Sequence, residues 1–319
     1  LGPKFDPDLP FLEGKYPQGE HYNYEVDATT VAPYIHTEWQ LAEKTRVTVG
    51  ARIEYTRYEY DNKSADGKFG KLFYRPADRD DSFNEFSPKL GLVQSLTEDT
   101  SAFINLARGN RAPQTTDLYR MRKDTNNTLT ADSETMNSVE IGVRKVGSGI
   151  QYEATTFYMK KKDYFFRDSG DNNVPNGKTK HYGVELSAFV PFAEQFDIGG
   201  SVTYARHQYD FDNDVISRGN RDDNTSIAEG DDMDTAPRHV ANFRLGWNYR
   251  PQSRAELEWV HVGNYYTDSG NQHRYEGHDL LNLRVNYSVN NSLNLYGRVT
   301  NLTDTKYAER ADFNAKSAR

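Results

Sequence analysis

The sequence predicts an all-β protein, an antiparallel transmembrane β-barrel, on three observations. Apolar and polar residues alternate with period two in about twelve runs, the mark of strands with two unlike faces. The connectors between those runs are alternately short and long. No segment of ten or more residues carries a 3.6-residue period, and none approaches the roughly 18 consecutive apolar residues of a spanning helix.

The runs follow a Pro/Gly-rich opening stretch, LGPKFDPDLPFLEGKYPQG, and a loop reaching to residue 28. They cover 29–40, 45–60, 83–95, 100–108, 135–146 and 150–167, then 180–190, 196–210, 236–249, 253–266, 278–289 and 293–300. LLNLRVNYSV shows the pattern well: Leu281, Leu283, Val285, Tyr287 and Val289 share one parity, with Asn282, Arg284, Asn286 and Ser288 on the other. RVTVGARIEY sets Val47, Val49, Ala51, Ile53 and Tyr55 against Thr48, Gly50, Arg52 and Glu54 in the same way. Short connectors fall at LAEK (41–44), TED (97–99), GSG (147–149), PFAEQ (191–195), RPQ (250–252) and NNS (290–292). Long ones lie between them at 61–82, 109–134, 168–179, 211–235 and 267–277. Outer-membrane barrels join strands by short periplasmic turns and long extracellular loops, and runs of ~9–11 residues cross a bilayer at a tilt. Aromatic residues near run ends, among them Trp39, Tyr58, Trp247, Tyr249 and Tyr287, suit interfacial belts.

Composition agrees without deciding. The 319 residues carry a net charge of -8, which disfavours nucleic acid, and no Cys, which excludes disulfides and thiolate metal sites. Low mean hydropathy alongside 22 Tyr and 16 Phe fits a barrel in which only alternate residues face lipid. A soluble β-sandwich or solenoid with aromatic-rich strands shares this composition.

Several tracts resemble the TonB-dependent outer-membrane receptors, importers of scarce nutrients in Gram-negative bacteria. They are VAPYIHTEWQLAEKTRVTVGARIEY (31–55), FSPKLGLV (86–93), AFINLARGNRAPQTTDLY (102–119), ETMNSVEIGVR (134–144), HYGVELSAF (181–189) and NLTDTKYAE (301–309). The resemblance implies a 22-stranded barrel whose lumen holds an N-terminal plug bearing the TonB box. It places NLTDTKYAE just before the last strand of the family, so the expectation is a partial barrel: a loop at 1–28, strands over 29–300, and 301–319 leading to a last strand outside the chain. Plug and TonB box are expected outside it as well.

No catalytic constellation is present in the sequence, and no enzyme activity is expected. The loop ARGNRAPQTTDLYRMRKDTNN gathers Arg108, Arg111, Arg120, Arg122 and Lys123, a basic surface suited to an anionic metal chelate, with Tyr119 among them. A solvated loop of paired arginines explains the same residues. His181, His207 and His278, with His36, fall on the polar parity and would face a lumen, where they could bond substrate, metal or a plug. The loop at 210–234 is dense in acids; Asp222, Asp223, Asp231 and Asp232 are weak calcium candidates, since their spacing matches no EF-hand.

The expected function is therefore an outer-membrane active-transport receptor that binds a siderophore-metal complex or similar nutrient and imports it with TonB-derived energy. A passive porin-like channel, or a soluble β-sheet carbohydrate-binding protein, remains open at this point. A receptor carrying this sequence is expected to require detergent for extraction and to run faster on SDS gels unheated than boiled. Recovery in the soluble fraction would decide for the carbohydrate-binding alternative.

Overall fold

The computed structural model describes residues 19–70, 73–122, 131–167, 173–213, 226–309 and 311. In chain order the first elements are β1 (Tyr24–Val31), β2 (Tyr34–Ala42), β3 (Thr45–Asn62), β4 (Gly67–Phe69), β5 (Phe73–Arg75) and β6 (Arg79–Ser95). There follow β7 (Thr100–Arg111), a one-turn helix α1 (Thr115–Tyr119), β8 (Met121–Arg122), β9 (Glu134–Lys145), β10 (Gln151–Arg167) and β11 (Asn173–Ala193). The last are β12 (Phe196–Tyr209), β13 (His239–Arg250), β14 (Ser253–Val262), β15 (Tyr265–Tyr266), β16 (Arg274–Tyr275), β17 (His278–Asn290) and β18 (Leu293–Val299). Thirteen strands form one antiparallel sheet in which each long strand pairs with the next long strand along the chain.

The thirteen strands make twelve passes. Val31 pairs with Tyr55 and Tyr34 with Arg52, so β1 and β2 hold one register along β3. Pro33 interrupts them because it has no N–H to donate. Its carbonyl still accepts from Ile53 N–H at 3.1 Å. The first pass begins at Tyr24 rather than 29, extended by pairing to the far end of β3. The run expected to reach 266 stops at Val262; Tyr265–Tyr266 turns away to pair with β16.

One face of the sheet is apolar and exposed. Its residues meet across every ladder: Ile53 against Phe86, Leu90 against Leu106, Ile104 against Ile141, Leu186 against Val202, Leu245 against Leu257, and Leu257 against Leu283. Ile53, Leu186, Leu245 and Leu257 are all well exposed, as a surface that meets hydrocarbon must be. Aromatic rings bound this belt at both ends. Phe192, Phe196 and Trp247 stack in sequence near the short turns, with centroids 5.8 and 5.9 Å apart. Tyr55, Tyr158, Tyr182 and Tyr204 close it at the long-loop end, and beyond them the same parity turns charged, with Arg57, Lys160, Lys180 and Arg206. The ten residue steps from Tyr182 to Phe192 span a tilted length that matches a hydrophobic thickness of roughly 25 Å.

The other face is polar. Toward the short turns Arg254 holds Asp197 through two bonds of 2.6 and 2.7 Å, and also reaches Glu256 at 3.3 Å. Arg284 bridges Glu256 and Glu258, and Glu258 accepts further bonds from Asn242 and Asn282. Half-buried charges are tolerated here because each is paired and hydrogen-bonded. Among the described residues, compact apolar clusters form at the long-loop end, one around Tyr60, Leu118 and Tyr119, the other around Tyr209 and Ile227. The small sheet β4–β5–β8 and α1 belong to that end and had no period-two or helical signal long enough to read.

The two faces differ in their tolerance of charge. Leu257→Arg is expected to cost roughly 2–4 kcal/mol in a bilayer, and Ser201→Arg on the polar face far less. Equilibrium unfolding of the protein in lipid vesicles measures both; equal losses would contradict the assignment of faces.

Candidate functional site

The polar face carries its densest set of chemically versatile side chains at the long-loop end, across β7 to β12. Register places His181 of β11 opposite His207 of β12. Their Nδ1 atoms are 2.8 Å apart, and the Thr179 hydroxyl lies 2.9 Å from His181 Nε2. One step toward the loops, Arg111 donates to Glu134 at 2.6 Å, Lys161 forms an ion pair with the same carboxylate, and its ammonium sits 4.2 Å from the centre of the Tyr164 ring. Tyr209 donates to Asp234 at 2.8 Å. A bulge in β10 makes this arrangement possible. Asp163 takes a φ of 55°, the register to β11 shifts between Lys161 and Tyr164, and the inward parity changes from odd to even.

Both histidines lie beyond Tyr182 and Tyr204, outside the spanning segments between the aromatic belts. Burial holds the His181 imidazole below its ordinary range, with the His207 ring and Lys161 adding repulsion. Burial also lowers His207, against the pull of Asp232. The pair is therefore neutral at pH 7, one ring donating to the other.

The remaining candidates are dispersed. Tyr119 is fully buried, stacked on Tyr60 at 4.3 Å and donating to Asp81 at 2.7 Å. Burial and Asp81 raise its pKa. It seals α1 against β3 and presents no free edge to a ligand. Arg120 is exposed at the end of α1, and the backbone of Arg122 pairs with Phe73 in the small sheet. Arg108 points to the outer parity, donating to Asn137 at 2.8 Å. His278 stands apart from the histidine pair, bonded to Tyr275 at 2.9 Å and 4.7 Å from the Tyr307 ring. Of the acidic loop, Asp222 and Asp223 lie outside the described residues. Asp231 accepts the Ala228 N–H at 2.9 Å. Asp232 is buried and held by Arg206 and Arg238. Among the described residues no group of three or more His, Cys, Asp or Glu is arranged to hold a metal.

Sequence reasoning missed Glu134, Lys161, Tyr164 and Thr179. Parity alone marked Glu134 and Thr179 as inward; nothing local marked the bulge that adds Tyr164.

A twelve-pass antiparallel sheet with one apolar exposed face, two aromatic belts and a charged inner face has the architecture of a membrane β-barrel wall. Residues 3–302 match the family described as TonB dependent receptor-like, beta-barrel, and the chain belongs to that family. It is 24% identical over 302 residues to the pesticin receptor of Yersinia enterocolitica, covering 91% of this chain and 41% of that protein. The Yersinia pestis pesticin receptor is 23% identical over 303 residues. Among solved structures, the siderophore receptor PiuA from Acinetobacter baumannii superposes with a TM-score of 0.73 at 18% identity, over 89% of this chain and 40% of that one. The ferric yersiniabactin uptake receptor FyuA from Yersinia pestis gives 0.67 at 20% identity, over 88% and 42%. The chain thus spans about two fifths of the length of these proteins. Members of the family are transporters and receptors of the outer membrane, binding siderophore or metal ligands and working with TonB.

Because folding lowers both imidazole pKa values, the neutral pair stabilises the fold above the ordinary value near 6.5, and that contribution is lost as pH falls below it. Ring signals of labelled histidine, followed by NMR in micelles, are expected to titrate below pH 6.5 for both residues. Protonation above that value would contradict the assigned burial.

Proposed function

We propose that this chain is the ligand-facing wall of an outer-membrane receptor that captures a scarce anionic metal chelate and admits it with energy from TonB. In this reading a plug domain, supplied by the longer receptor, fills the space before the polar face, and TonB acts on that plug. The inner face at the extracellular end supplies the capture surface. The observation that carries the reading is the Arg111–Glu134–Lys161 set above the histidine pair, where two cations share one carboxylate.

The mechanism is binding and gated passage, without covalent chemistry. The surplus cation attracts a chelate carboxylate or phenolate, and Arg111 offers a planar donor fork to it. The neutral histidines and Thr179 provide uncharged bonds that orient the ligand without holding it too firmly for release. Toward the periplasmic end the Asp197–Arg254–Glu256–Arg284–Glu258 series presents fixed, mutually satisfied charges against which a plug slides or shifts. Membership of the family and the named ligands of its relatives support this reading, and the polar face supplies the chemistry for it.

Deletion of the intact gene is expected to abolish growth on one class of metal chelate supplied as the only source. The wild-type gene should restore growth, and only in cells with TonB. Arg111→Ala with Lys161→Ala is expected to raise the concentration needed for half-maximal uptake by about tenfold or more, as loss of charged hydrogen bonds implies. Restored uptake without TonB would replace this reading with a passive channel.

A further inference from the structure

We propose that the outer face of the sheet from β7 to β12, just beyond the aromatic belt at the long-loop end, binds a lipid whose headgroup carries phosphate groups. The surface goes beyond the chelate-receptor reading, which uses the inner face.

Register builds the patch. Arg108, Asn137, Lys160, Lys180 and Gln208 are successive partners across β7, β9, β10, β11 and β12. The row beneath them reads Leu106, Val139, Tyr158, Tyr182 and Arg206. Both rows have the parity of the apolar face. Lys162 and Lys178 continue that parity toward the loops. Arg108, Lys160, Lys162 and Lys178 are exposed, and Lys180 and Arg206 are half-buried. The upper row lies two residues past Tyr158 and Tyr182, about 5 Å of height on a tilted strand. Interfacial aromatic rings sit at headgroup level, so these cations stand where lipid phosphates do. Arg108 and Lys180 are three strand spacings apart, about 14 Å, which is room for a headgroup with two phosphates.

Acids offset these six cations incompletely. Asp210 lies 3.1 Å from Lys180 and 3.6 Å from Lys160, so two cations share one carboxylate. Glu229 reaches Lys180 at 3.9 Å, and Asp232 is divided between Arg206 and Arg238. Arg108 donates to Asn137 rather than to an acid, and the Arg206 Nε is buried without a partner. At the same height the rest of the outer face has another character. Around Arg57 on β1, β3 and β6 the matching parity carries Glu25, Asp27, Glu59, Asp61 and Asp80. On β14 and β17 it carries the His261–Asp279 pair. Positive charge that served solubility alone would be spread over all strands; here it is confined to one sector.

The chemistry of the two rows selects a lipid over a free anion. Lysine ammonium groups and the Arg108 guanidinium suit phosphate oxygens, the arginine through its donor fork. Directly below, the Tyr158 and Tyr182 rings stand 6.4 Å apart, with Leu106 and Val139 beside them. Those groups meet the upper ends of acyl chains. A soluble phosphate gains the cations alone, whereas a phosphorylated lipid gains both rows at once. The Asp210 carboxylate spaces Lys160 and Lys180 without neutralising them.

The test measures lipid retained by the receptor, purified in detergent micelles, by native mass spectrometry. The probe is lipid A with two phosphates, compared with the same lipid dephosphorylated. The phosphorylated form is expected to bind more tightly, and Lys160→Gln with Lys180→Gln to weaken it about tenfold or more, as loss of two interfacial cations implies. Arg57→Gln with Lys63→Gln removes the same charge from the acidic sector and is expected to leave binding unchanged. Heat-modified migration on SDS gels confirms that each variant is folded. Equal weakening by the two double variants overturns the proposal, as does equal binding of the dephosphorylated lipid. Displacement of the lipid by excess inorganic phosphate also overturns it, since the patch would then serve a free anion. Chelate binding by the Lys160→Gln, Lys180→Gln protein is expected to match wild type, so failure of this surface and failure of the receptor reading are separately visible.

Discussion

The requirement that backbone amides and carbonyls find partners inside hydrocarbon governs the whole molecule. No water is present there to satisfy them, so each spanning strand must bond to its neighbours along its full length. That need explains why each long strand from β3 to β18 is laddered to its neighbours in the sheet. It also makes register decisive. A slip of one residue would carry Leu245, Leu257 and Leu283 to the inside and Arg244, Glu256 and Arg284 into lipid.

Once register is set, the two faces acquire different work. The apolar face needs only bulk and the right width, and many substitutions among Leu, Ile, Val and Phe would satisfy it. The inner face needs specific partners. Asp197 and Arg254, or Glu258 with Asn242, Asn282 and Arg284, are satisfied only as a set. The long-loop end adds a third kind of order, because its chain folds back on the strands. Tyr60, Tyr119 and Leu118 supply there the buried apolar packing that a barrel wall otherwise lacks.

The site at that end arises from this layering. Strands aligned for lipid bring His181 and His207 face to face as a consequence of their shared parity. The β10 bulge then departs from strict alternation and turns the Tyr164 ring toward Lys161. Regular pairing thus builds the wall, and a local fault in it equips the inner surface.

The sequence by itself determined the strands, their faces and the alternation of connectors, because a period of two along the chain is a direct record of which side meets lipid. Even the passes could be counted, and the inward aim of His181, His207 and His278 followed from the same parity. Only the tertiary structure decided which of those histidines meet. His181 and His207 are adjacent through hydrogen-bonded register, whereas His278 is engaged by Tyr275 and Tyr307. It also decided that Tyr119 is a packing residue and that Asp232 is occupied by Arg206 and Arg238. Those outcomes depend on where long loops fold back, and contacts between residues far apart in the chain leave no periodic trace in it.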